Sequence, residues 1–182
     1  IWMLKPMRQL GRIALVTCVC AALTAAEVPS ANAEEQFGEV HFPVSCNARV
    51  QKKFNLALAM LHTFSFPAAA KAFAAVSRED PDCAMAYWGL AATAIGSLYG
   101  GRAGPMAIQG KIAVAKAKAI GGKTSRERDY IATIEAFYRG ADKIDYATRV
   151  HAYANALEQL HRKYPDDREA EIFYAYALSA LG

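Results

Sequence analysis

From Cys46 onward, apolar residues recur three and four positions apart, in runs of roughly 11 to 20 residues separated by short polar breaks. Strict alternation of apolar and polar positions is almost absent, so the pattern predicts helices and no sheet. The first helix is expected over Cys46 to Thr63, with Phe54, Leu56, Leu58, Met60 and Leu61 on its faces. Pro67 opens a second, to about Ser77, because proline is tolerated in a first helical turn. After "EDPD" a third helix runs from about Cys83 to Ile95, followed by a glycine-rich loop, "GSLYGGRAGP". The fourth, about Pro105 to Ile120, stops at Gly121-Gly122. Thr124 with Glu127 forms a capping box for a fifth helix reaching Tyr138. A sixth spans about Asp145 to Tyr164, and Pro165 turns the chain into a seventh that ends at Leu181.

The residues before this region follow a different pattern. Lys5, Arg8 and Arg12 precede an apolar run from Ile13 to Ala26, and a polar stretch then ends in Ala31-Asn32-Ala33. A basic start, a short apolar centre and an A-x-A end read as a secretory signal peptide over residues 1–33. The 14 residues from Ile13 to Ala26 are too few to span a bilayer, so no stable membrane insertion is expected after cleavage. Export to the bacterial periplasm or beyond follows, with a short N-terminal extension over 34–43 and the helical body over 44–182.

Composition narrows the chemistry. The 182-residue chain is 54% hydrophobic, enough for one domain with a sizeable core. Loss of Lys5, Arg8, Arg12 and Glu27 with the leader lowers the formal charge from +4 to +2, with no basic block. Nucleic acid is therefore a poor partner. The four histidines, His41, His62, His151 and His161, form no H-x-x-x-H or H-E-x-x-H motif and read as ordinary surface or groove residues. "SRERDY" and "YPDDRE" put acidic residues at helix starts, where they complement the helix dipole. The glycine-rich loop lacks a phosphate-loop lysine. No catalytic residue, metal or cofactor is expected, and the chain is read as a non-enzyme.

Two segments, "PDCAMAYWGLA" and "PDDREAEIFYA", align without gaps 84 residues apart. With serial helical hairpins this resembles the tetratricopeptide repeat (TPR) family, whose period is about 34 residues. A repeat begun at Val50 puts Leu56, Ala57, Ala69, Phe73 and Pro81 on the family's small, aromatic and proline positions. A second begun at Ala84 does the same for Tyr87, Leu90 and Ala91, whereas Lys53 stands where tryptophan is usual. "FPVSC", "DPDCAMAYWGLA", "RERDYIATIEAFY" and "YPDDREAEIFYAYAL" are similar to segments of exported bacterial TPR proteins. That group is usually longer, and its later histidine-containing segments have no counterpart here, so nothing of them is carried over.

The resemblance implies an all-α solenoid of about three and a half hairpins, cut short at its C-terminus, that binds a protein or peptide in a concave groove. Its groove positions project onto Gln51, Phe54, Met85, Trp88, Arg128, Glu135, Tyr138, Glu169 and Tyr176. Phe54 and Trp88 read equally well as residues packed between helices. Phe173, Tyr174 and Leu178 would then need a partner, leaving self-association through the C-terminal face open. Another alternative is the helical start of a larger enzyme or metalloprotein. Cys46 and Cys83, 37 residues apart, occupy equivalent turns that repeat stacking would bring to one edge. A disulfide is expected there, with free thiols or a metal or catalytic role as the alternatives.

Overall fold

The computed structural model describes residues 37–100 and 107–182. The signal-peptide reading lies outside the described residues. Among them there are seven α-helices and no strand: α1 (Gln51–His62), α2 (Phe66–Glu79), α3 (Ala84–Ile95), α4 (Ala107–Ile120), α5 (Ser125–Tyr138), α6 (Tyr146–Lys163) and α7 (Arg168–Ser179). Single 3-10 turns precede α1 and follow α3. Each helix packs on the next in sequence, and α3 also touches α1 and α5. No described helix is long and apolar enough to cross a membrane.

Local chemistry sets the ends. The Thr124–Glu127 capping box forms as expected, and Asp145 and Asp167 cap α6 and α7 by accepting backbone N–H groups in the first turn. Gly121, at φ 78°, terminates α4. The first helix starts later than expected, because Cys46 and Asn47 belong to a bonded turn; Asn47 instead caps the 3-10 turn Ala48–Val50. α1 closes with Ser65 N–H on Met60 O and Phe64 N–H on Leu61 O, each 3.0 Å. This Schellman motif places Phe64 at φ 59°, in the slot that glycine usually fills.

The core centres on aromatic rings. Phe42 lies 5.6 Å from Phe54, 5.7 Å from Trp88 and 5.0 Å from Tyr130, centroid to centroid. All four are buried, as is Phe73, which meets Phe54 edge-on. Such pairs add about 0.5–1.5 kcal/mol each beyond their area burial. Phe42 belongs to the segment expected to be an extension outside the body, so the folded unit begins upstream of residue 44.

Candidate functional site

Residues 40–46 cross α1 and α5 as an extended strap held by side chains. Phe42 N–H donates to Asn55 Oδ1 (3.4 Å), Gln51 Nε2 donates to Phe42 O (2.8 Å), and Val44 N–H donates to Gln51 Oε1 (3.0 Å). From α5, Glu127 Oε1 accepts Ser45 N–H at 2.6 Å, and Arg126 donates to Pro43 O at 3.2 Å. Glu127 thus serves both ends of its job, since its other oxygen accepts Lys123 and Thr124 N–H in the capping box. The Cys46 and Cys83 sulfurs lie 2.02 Å apart, at disulfide distance, and tie the strap to the start of α3. Cys46, Asp80 and Cys83 are also the one described grouping compact enough to share an ion, but bonded thiols offer it no thiolate.

A charged knot locks the strap to α7. Arg126 Nε donates to Asp167 Oδ2 at 2.6 Å and Tyr130 OH donates to the same oxygen at 3.0 Å. The Arg126 guanidinium sits 4.1 Å over the Phe42 ring. Burial alone would raise the Asp167 carboxyl, but the hydrogen bond and charge of Arg126, the Tyr130 hydroxyl and the Ala170 amide outweigh it and hold the group below the usual range. Burial opposes charge on Arg126, yet Asp167 and Tyr130 keep its pKa above the ordinary value. Burial and the Asp167 charge push Tyr130 up, so it remains a donor.

Beside the strap lies a cleft of about 670 Å³ between residues 38–41, the C-terminal end of α1 and α7 from Arg168 to Tyr176. Phe64, Phe66, Phe173 and Tyr176 supply aromatic walls; Glu39, Arg168 and Glu169 supply charge. Within it His62 Nε2 meets Glu169 Oε2 at 2.6 Å, and because a carboxylate only accepts, Nε2 carries the proton. Glu169 is buried and the His62 ring lies 5.3 Å from Phe173. A second furrow, almost wholly apolar, runs between α2 and α4 over Tyr87 and Leu90, with Lys116 its one charged residue.

The structure scatters the expected groove residues. Glu169 and Tyr176 do line the cleft, and Gln51 holds the strap. Phe54, Met85 and Trp88 are core residues, with the indole Nε1 lacking any hydrogen-bond partner among the described residues. Tyr138 is buried too, its hydroxyl donating to Ala91 O at 2.9 Å. Arg128 bridges the α4–α5 turn through Gly122 O and Lys123 O, and Glu135 pairs with Lys118 of α4. The physical reason is coverage: the projection took no account of the strap, which lies over α1 and α5 and buries residues expected to be open.

Phe173, expected to need a partner, is buried against Trp88 and His62, while Ile172 and Leu178 stay exposed. The sequence reading missed Phe42, Phe64 and Arg168, and it named His62 as a surface or groove histidine without its partner. His62 and Glu169 are 107 residues apart, so no local motif could join them. Phe64 did carry a signal, an aromatic residue at the end of an expected helix where glycine is usual. No family model, curated protein or solved structure matches the chain.

Proposed function

We propose that this chain is an exported, tetratricopeptide-like α-solenoid that binds an extended segment of a protein partner on its inner surface and performs no catalysis itself. One observation carries the reading: α1 and α5 already hold an extended stretch of the chain's own backbone, through amide, carboxylate and guanidinium side chains. That is how a helical groove recognises a segment without reading its whole sequence. The cleft beside the strap continues the same surface and is open.

Supporting the solenoid are the contacts of α3 with α1 and α5, and the full burial of the small positions Ala57, Ala69 and Ala91. Leu56, half-exposed at 48%, departs from the family pattern. Export rests on the leader-like residues 1–33 and on a cysteine pair compatible with an oxidising compartment.

The test is panning of random dodecapeptides against the oxidised chain from residue 34 onward. Selected peptides should compete with one another and lose binding in Ile172→Asn, an exposed position on the cleft wall. Failure to select any peptide would remove the reading.

A further inference from the structure

The cleft has two features that a bare packing gap would not need. The first is Phe64. A non-glycine residue at a helix C-terminus in the left-handed region is strained, and strain of this kind persists where something over-determines it. The core does not: Phe64 is 55% exposed and lines the cleft, with its ring 5.4 Å from Tyr176 and 6.0 Å from Phe66. The second is charge. Glu39, exposed on the strap side, and Glu169, buried beside His62, put two carboxylates on the lining that these rings share. Aromatic faces carry negative potential, and together with carboxylates they make a surface suited to an organic cation. The groove already makes one such pairing internally, Arg126 over Phe42.

We propose that the cleft bounded by Phe64, Phe66, Phe173, Tyr176, Glu39 and Glu169 receives a basic side chain, lysine or arginine, of the extended partner segment. This rests on the peptide-binding reading above and adds the identity of the residue read. The aliphatic stem would lie against the rings and the charged head would reach the carboxylates. His62, which donates to Glu169, fixes the position of that carboxylate. Arg168 is the one arginine or lysine on the wall, which also holds His41 and His62; it is exposed at the first position of α7. Its sign gives the proposal a directional test.

The probe is a positional-scanning library of acetylated, amidated hexapeptides, bound to the oxidised chain and to three variants. The wild type should enrich lysine or arginine at one position, by about 2- to 30-fold over norleucine. Glu39→Gln should weaken binding of basic peptides about 2- to 5-fold and Arg168→Gln should strengthen it by a similar factor, since both residues are exposed. Phe64→Gly should leave the thermal midpoint no lower, because glycine suits φ 59°, while abolishing the basic preference. Selection of peptides without a basic preference, or weaker binding in Arg168→Gln, would overturn this inference and leave the peptide reading standing. Retention of the preference in Phe64→Gly would also overturn it. Absence of any enrichment in the wild type would overturn both.

Discussion

Gly89 shows how a single residue sets the spacing of two helices. A Cβ added there would come within 2.3 Å of Cε1 of Phe73, a ring with no exposed edge to swing outward. The glycine in "YWGLA" is therefore a contact surface, letting α2 lie against α3. In an exposed helix, Gly→Ala would stabilise by about 1 kcal/mol. Here overpacking opposes that gain, and Gly89→Ala is expected to destabilise by about 1–3 kcal/mol. Urea unfolding decides by sign alone: a higher midpoint for the variant would mean that Phe73 relaxes freely. Gly110 plays a similar part for Tyr138, whose hydroxyl would lie 2.0 Å from an added Cβ.

Among the elements, the strap is the one that no periodicity announced. It has no helical or strand hydrogen bonds of its own, and Gln51, Asn55, Arg126 and Glu127 bond five of its backbone groups. An unpaired buried peptide group costs about 1–3 kcal/mol, so these side chains decide whether the strap can lie on the helices at all. The Cys46–Cys83 link closes a loop of 37 residues and should contribute about 2–4 kcal/mol by restricting the unfolded chain. Unfolding free energies from urea titrations with and without reductant should differ by that amount. A superimposable pair of curves would mean that the strap holds without its link.

At the scale of the molecule, acid should loosen the fold through its aspartates. Asp129 and Asp167 join helices to one another, through Lys163 with Tyr164 and through Arg126 with Tyr130, and both carboxyls are held below the usual range despite the opposing effect of burial. Asp145, at the start of α6, is lowered by Thr148, and Asp142 by Lys111. A carboxyl depressed in the folded state contributes stability that is fully present above its unfolded pKa of about 3.9 and lost as pH falls through the folded value. The urea midpoint should hold steady from pH 7 to about 5 and fall below about pH 4. Asp167→Asn should lower the midpoint at pH 7 and flatten that fall; an unchanged acid slope would show that Asp167 is not among the groups responsible.

Seven helices, their order and most of their ends were legible in the sequence, because helix periodicity, proline, glycine and capping residues act within a few positions of one another. Thr124–Glu127 is the clearest case, a local motif that needs no tertiary partner. Even the Cys46–Cys83 pairing could be expected, from the resemblance to proteins built of stacked helical hairpins. The surroundings of the strap and of α7 could not. Phe42 in its aromatic cage, His62 on Glu169, and the burial of Trp88 all join residues tens of positions apart in the chain. Such contacts form only when the strap and α7 fold back over α1, α3 and α5, and no local pattern encodes that return. The sequence by itself determined which segments are helical and where they stop; the tertiary structure decided which of their faces stayed open.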